Sequence, residues 1–383
     1  GGVQALPWVF TATLLAMLAA VPLFGWASAR LPRRRLLPAV YGFFLLNLLT
    51  FFAAFRAGAD TEWTARAFFV WVSVYNLFVV SVFWSFMVDL FEREQAKRLF
   101  GFIAAGGSAG ALVGPILTAV LARPLGTVNL LLISAAFLAL ATLCIFRLLA
   151  WSAGREEARS PVTEAPLGGG AWGGVREVAG SPYLLGIAAY MVLYTVLSTF
   201  LYFQQARLVA DAGMASEART SLFASMDLAV NLLALAGQTF VTAHLIRRRG
   251  VAMVLALVPA LTLVGFGVLA LFPVLAVAVG FQVLRRAADF ALARPARELL
   301  YTAVDREAKY KAKNFIDTVV YRSGDAVGGW AFAGLKALGL GLAGIAWIAV
   351  PLAALWLALS VALGRRQAAL TEVARAPRLP ESG

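Results

Sequence analysis

FQVLRRAADFALARPARELLYTAVDREAKYKAKNFIDTVVYRSGDAVGGW, residues 281–330, is flanked by apolar runs long enough to cross a bilayer, and its first half is itself mostly apolar. Into it are set Arg285, Arg286, Asp289, Arg294, Arg297, Glu298, Asp317, Arg322 and Asp325. An ionisable side chain at the centre of a membrane helix costs roughly 2.5–3.5 kcal/mol on insertion scales. A chain that keeps so many between two hydrophobic spans has a use for them. The expectation is a pair of helices lining a polar path through a membrane.

The composition agrees with a membrane setting. Hydrophobic residues make up 61% of the 383 and charged residues 14%, against about 25% charged in soluble domains. Apolar runs recur beyond the roughly 18 residues that cross the hydrocarbon core. This predicts an all-α, polytopic membrane protein. The net charge of +13 lies mostly in short loops between spans, where Lys and Arg act as topology signals and contacts for anionic lipids. That distribution excludes a nucleic-acid face. Cys144 is the single cysteine and His244 the single histidine, so neither a disulfide framework nor a metal-ligand set is expected. No ATPase or other cofactor motif appears, and catalysis is not expected. His244, near the end of its span, reads as a helix-terminal residue.

Eleven spans are expected, at about 5–29, 36–56, 65–89, 99–122, 127–149, 182–205, 219–246, 251–272, 274–301, 314–336 and 340–363. The connections Arg30 to Arg35, Glu92 to Arg98, Trp151 to Gly180, Arg247 to Arg249 and Asp305 to Lys313 carry most of the charge. The positive-inside rule puts them and the C-terminus in the cytoplasm, which leaves Gly1 outside.

The two parts of the chain repeat. A shift of 215 positions carries Arg33 and Arg34 onto Arg248 and Arg249, Lys97 to Phe100 onto Ala312 to Phe315, Ser108 onto Ser323, and Gly114 onto Gly329. One offset at both ends reads as a duplication of six-helix halves. The same shift carries the span at 182–205 to a point before residue 1, so the sequence reads as starting after the first of twelve spans. The expected organisation is an N-terminal half at 1–150, a flexible cytoplasmic linker at 151–180, a C-terminal half at 181–364 and a cytoplasmic tail at 365–383. Gly106, Gly110 and Gly114 recur every four residues, a spacing that lets membrane helices approach closely.

Several polar residues stand out as site candidates. Arg285 and Asp289, four apart, share a helix face, a spacing that allows a pair within the helix; Arg286 points about 100° away and needs its own partner or a ligand. Arg294 and Glu298 repeat the four-residue spacing, and Pro295 between them is expected to kink the helix. Asp317, Tyr321 and Asp325 continue a stripe from Asn314, with Arg322 beside it. Guanidinium groups bind carboxylate or phosphate bidentately, which favours an anionic substrate. Asp317 and Asp325 are alternatively acceptors of a coupling proton, and Asp227, on a stripe with Asn231 and Gln238, is the best isolated candidate for that role. The first half is neutral at its polar positions, Asn47, Tyr75, Asn76, Ser81 and Ser85, while Trp84 and Trp71 are placed to stack a ring. The ligand head group is therefore expected to lean on the second half. Lys309, Lys311 and Lys313 form a basic cytoplasmic loop, read either as an anion funnel or as topology signals. The charges of the opening stretch are not duplicated: shifted by 215, Arg285, Arg286 and Asp289 meet Val70, Trp71 and Val74. Charges placed in one half only favour recognition or coupling over general helix glue.

Two six-helix halves, a central loop and cytoplasmic ends resemble the major facilitator superfamily. Its signature loop is similar to Gly25 to Arg34, although Ala29 stands at the usual Asp and Pro32 at the second Gly. By position Asp89 or Glu92 would substitute for that carboxylate as a latch. Pro295, Glu298, Tyr301, Asp305, Lys309, Lys311, Lys313, Ile316, Asp317, Arg322 and Gly324 resemble the ATP/ADP translocases of plastids and intracellular bacteria, as do Phe83 to Phe86 and Ala96 to Phe100. This chain looks most like their compact bacterial relatives. Asp325 follows Gly324 where the nucleotide carriers have a Lys, and the reversed charge counts against a nucleotide. The resemblance implies a monomeric secondary transporter of a bacterial inner membrane, an antiporter or symporter working by alternating access on a small organic anion, with nucleotides and phosphorylated metabolites in range. Arg285, Arg286, Asp289, Arg322, Tyr321, Asn76 and Trp84 would bind substrate; Asp227, Asp317, Asp325, Arg294, Glu298 and Asp89 would couple protons or gate. The alternatives are a proton-coupled exporter of amphipathic or siderophore-like compounds and a membrane scaffold that transports nothing.

Overall fold

Runs of Leu, Ala, Val and Phe without regular turn punctuation leave the chain only helices with which to satisfy its backbone away from water. A computed structural model describes residues 5–30, 33–59, 61–90, 93–153, 171–304, 312–313 and 315–375. Within these, backbone alone is described at 21–30, 33–37, 61, 77, 81, 84–85, 88–90, 93–98, 100–102, 104, 151–153, 171–174 and 373–375. Every element among the described residues is helical. In chain order they are α1 (Leu6–Arg30), α2 (Arg33–Arg56), α3 (Thr61–Leu90), α4 (Arg93–Leu125), α5 (Leu130–Ala153), α6 (Ala171–Gly180), α7 (Pro182–Asp211) and α8 (Ser216–Ala236). There follow α9 (Ala243–Leu271), α10 (Leu275–Ala288), α11 (Arg294–Leu300), α12 (Tyr321–Ala337) and α13 (Leu342–Arg375). Seven helical segments among the described residues are long and apolar enough to cross a membrane. One of them, Ser216–Leu271, is 56 residues and holds two of the expected spans. Gly250 separates them, at φ 76°, a conformation that costs glycine little.

The chain divides into two compact units, Gly1–Pro166 with Met214–Leu228, and Leu167–Gly213 with Ala229–Gly383. In the first, α2 packs on α3 and α5, and α1 on α3. Tyr41, Phe44, Val82, Phe86, Met87, Leu138 and Ile145 form its core. Trp71 belongs to this packing. It stacks on Tyr75 at 5.1 Å between ring centroids and lies 5.3 Å from Phe51, so its ring is taken up by protein.

In the second unit α13 lies along α9 and α7, and α12 lies along α7. Small residues set these approaches. A Cβ added at Gly364 would meet Ala252 Cα at 2.3 Å, and one at Gly324 would meet Thr195 Oγ1 at 1.9 Å. At Gly328 it would meet Val196 Cα and Thr199 Cβ at 3.1 Å each. Backbones this close exclude any side chain between them, the packing that membrane helices favour. The four-residue glycine repeat at Gly106, Gly110 and Gly114 does not play that part: a Cβ added at each meets nothing within 4 Å, and all three are exposed. Spacing puts them on one face, but no described residue comes close to that face.

Two expected boundaries shift. The last ten residues of the 151–180 connection form α6, which packs on α7. Ser181 caps α7 by accepting from the Leu184 N–H at 3.4 Å, with Pro182 in the first turn. At the other end, α13 runs on to Arg375, past the expected stop at 363, held there by Gln367, whose Nε2 donates to Leu299 O at 3.4 Å.

Candidate functional site

Among the described residues three π turns interrupt the second unit, at Gly237–Thr242, Asp289–Ala293 and Ile316–Val320. A π turn inserts one residue into a helical turn and is frequent at functional sites. The middle one has a visible cause. Pro295 has no N–H, so the carbonyl four residues earlier, Ala291, loses its helical donor. The Arg294 N–H goes five residues back to Asp289 O, which frees Phe290 O as well. Both carbonyls are taken up from the neighbouring turn: Gln238 Nε2 donates to Phe290 O at 3.0 Å, and Thr242 Oγ1 donates to Ala291 O at 2.7 Å. An added Cβ at Gly237 would lie 2.8 Å from Ala291 Cβ, so the two π turns sit against each other. The polar position Gln238 thus serves backbone, as does Asn47 in the first unit, whose Nδ2 donates to Phe43 O at 2.7 Å.

This turn decides the partners of the charges. Asp289 is 3% exposed and accepts from Tyr194 OH at 3.0 Å and from Arg294 Nε at 3.2 Å. Arg294 is five residues on, a spacing that a π turn brings onto one side. The four-residue spacings do not set the partners: Asp289 pairs with Arg294 and not with Arg285, and Glu298 pairs with Lys313 and not with Arg294. Arg285, 2% exposed, instead donates from Nη2 to Ser198 Oγ at 2.8 Å, and its guanidinium stands 5.6 Å from the centre of the Tyr194 ring. Its Nε and Nη1 are buried without a hydrogen-bond partner among the described residues. A buried guanidinium with two open donors is poised for an acceptor that carries negative charge.

Around this centre lie rings and further ion pairs. Tyr194 is 6.2 Å from Tyr321 and 5.8 Å from Trp356 between ring centroids. Arg322 pairs with Asp325 at 3.4 Å, and Thr199 Oγ1 donates to Asp325 at 3.4 Å. Nearer the expected cytoplasmic end, Arg297 faces Asp317 at 3.8 Å, and Lys313 meets Glu298 at 2.6 Å. Arg286 and Asp227 are half-buried, and Asn76 is exposed. The side chains of Trp84 and Asp89, and all of Asn314, Lys309 and Lys311, lie outside the described residues.

The model of the Major Facilitator Superfamily matches residues 2–289. The chain belongs to the major facilitator superfamily. It is a membrane protein of helical spans and a transporter, not an enzyme. No curated protein matches it. Among solved structures it is similar to a bacterial homologue of the iron transporter ferroportin in an inward-facing state, at TM-score 0.61 and 14% identity over 95% of this chain and 90% of that one. The nucleoside transporter NupG gives TM-score 0.60 and 14% identity over 97% and 91%, and the POT family transporter PepTSo 0.61 and 14% over 97% and 90%. At such identities the likeness is one of fold. The small-molecule cargo of this superfamily member has to be argued from its own residues.

Reading the sequence for charge missed the helix that organises the site. Tyr190, Tyr194 and Ser198 recur every four residues along α7, and Thr195 and Thr199 lie beside them. That hydroxyl stripe was a usable signal for a polar face. Arg297, whose Nη1 lies 3.4 Å from Met191 Sδ, also bears on the cluster.

Proposed function

We propose that this transporter carries a small organic anion by alternating access, with Arg285 as the group that holds the anionic head. One observation carries the reading: a guanidinium that is 2% exposed, held by Ser198, with Nε and Nη1 open. The nearest carboxylate along its helix, Asp289, is engaged by Tyr194 and Arg294. Helix glue would be expected to close such a charge on a partner; a binding group has reason to leave it open. Arg286, Arg322 and Tyr321 belong to the same reading as further substrate contacts. The resemblance of Glu298 to Gly324 to the ATP/ADP translocases supports phosphorylated metabolites as one class, and Asp325 argues against nucleotides. Residues 1–150 and 181–364 are read as the moving halves, 151–180, which ends in α6, as their linker, and 365–383, which begins within α13, as a cytoplasmic tail. The protein acts as a monomer in a bacterial inner membrane, with its C-terminus in the cytoplasm and its basic loops against anionic lipid.

The test is uptake into liposomes of organic phosphates and carboxylates by the purified protein and its Arg285→Gln and Arg286→Gln variants. Loss of uptake in correctly folded Arg285→Gln protein is expected; uptake that survives both changes sinks the head-group role. A second reading, proton-coupled export of amphipathic compounds, rests on Asp325, which is mostly buried and held by Arg322 and Thr199 at 3.4 Å each.

A further inference from the structure

One turn before Arg285 on the same helix is Gln282, a side chain with no part in the ion pairs. It is 6% exposed, and its Oε1 is buried with no hydrogen-bond donor among the described residues. Leu275–Ala288 is regular α-helix, so residues three apart share a face with their Cβ atoms about 5–6 Å apart. The face therefore offers one open acceptor, Gln282 Oε1, next to two open donors, Arg285 Nε and Nη1. They do not satisfy each other. A buried polar atom left without its hydrogen bond is costly, and three such atoms within one helical turn call for a ligand that meets them together. A carboxylate at 282 would have neutralised Arg285, whereas a neutral amide leaves the positive charge for the ligand and adds an acceptor beside it.

We propose that Gln282 determines specificity in the anion site: its Oε1 accepts a hydrogen bond from a hydroxyl or amide N–H that the substrate carries near its charged group. The substrate class narrows to hydroxylated or amide-bearing organic anions, against anions with plain alkyl tails. This rests on the reading of Arg285 as the head-group residue. A site built around a hydrogen-bonding substrate rejects the analogue that lacks the group, because the protein's own polar atom is then left buried and unpaired.

Matched probes test it on the purified full chain in detergent, by ligand-dependent thermal stabilisation: glycerol phosphate against propyl phosphate, and gluconate against hexanoate. The wild-type protein is expected to bind the hydroxylated member of each pair at least about tenfold more tightly, about 1.4 kcal/mol. Gln282→Leu, or Gln282→Met if the first variant does not elute as a single species, should bring the pair to within about twofold by weakening the hydroxylated member. Arg285→Gln should lose both members. Equal wild-type affinity within each pair, or a preference unchanged in the Gln282 variants, overturns the role of Gln282 and leaves the anion reading standing. Failure of wild-type protein to respond to any of the four, matched by Arg285→Gln, overturns the anion reading instead.

Discussion

The hydroxyl of Thr242 donates at 2.7 Å to the carbonyl of Ala291, the acceptor that Pro295 leaves without a helical donor. A proline and its remedy thus sit on neighbouring helices, more than fifty positions apart. Thr242→Val keeps the shape and removes the donor, so a buried carbonyl is left unmatched. We expect a loss of about 1–3 kcal/mol, read as a lower Tm of the purified protein. Pairing it with Pro295→Ala should recover part of the loss, because replacing the proline restores an N–H for that carbonyl. A double variant no more stable than Thr242→Val alone would refute this account of the turn.

Gly324 faces Thr195 across the α7–α12 approach, with 1.9 Å between its added Cβ and Oγ1. Gly324→Ala must push the helices apart or turn the hydroxyl away, and overpacking of this kind costs about 1–3 kcal/mol. Thr195→Ala should relieve a good part of that cost in the double variant. Gly110→Ala, where nothing lies within 4 Å, should leave Tm unchanged or raise it slightly through helix propensity.

Tyr194 holds Asp289 and borders Arg285, so Tyr194→Phe isolates the hydroxyl without removing the ring. Among the described residues Asp289 then keeps only Arg294, whose side chain is 52% exposed. Uptake is expected to fall about tenfold or more while Tm drops by an amount equivalent to about one hydrogen bond, roughly 1–2 kcal/mol. Undiminished uptake in the variant would place Tyr194 outside the working site.

The Lys313–Glu298 pair is partly exposed at 2.6 Å, and pairs of that kind contribute about 0–1 kcal/mol to stability. The sequence reading of Glu298 as a coupling or gating residue makes this contact the one to test. Lys313→Glu and Glu298→Lys singly should therefore alter the transport rate with little change in Tm, and the exchanged pair should restore the rate. Failure of the exchange to restore it would remove the pair from gating.

Proton coupling separates the two readings of the carboxylates. With an imposed proton gradient across liposomes, Asp227→Asn and Asp325→Asn are each compared with the wild-type protein. Under the exporter reading at least one of them abolishes the dependence of flux on the gradient. Under anion exchange both retain gradient-independent flux driven by substrate on the far side.

Much of this architecture was legible in the residues. Helix positions follow from apolar runs, and the break at Gly250 falls where Arg247, Arg248 and Arg249 interrupt them. The charged face of 281–330 was legible as well, because ionisable residues amid Leu and Ala stand out. Their partners were not. Predicting Arg285 with Asp289 assumes 3.6 residues per turn throughout, and a π turn breaks that assumption without a sequence period of its own. Pro295 was the one local sign, and it shows where a helix is disturbed but not how the disturbance resolves. Close approaches were equally hard to place. The glycines at 106, 110 and 114 share the four-residue spacing of Gly324 and Gly328, but among the described residues only Gly324 and Gly328 meet a facing helix, and that depends on the tertiary fold.

Thr199 belongs to two structures at once. Its Cβ rests against Gly328 at the seam of α7 and α12, and its hydroxyl reaches Asp325. The alphabet permitted at this position is therefore short: a residue must be small at Cβ and carry a donor, which leaves threonine and serine. Position 199 thus ties the Asp325 carboxylate to the joint between α7 and α12, so a change at either is felt at the other.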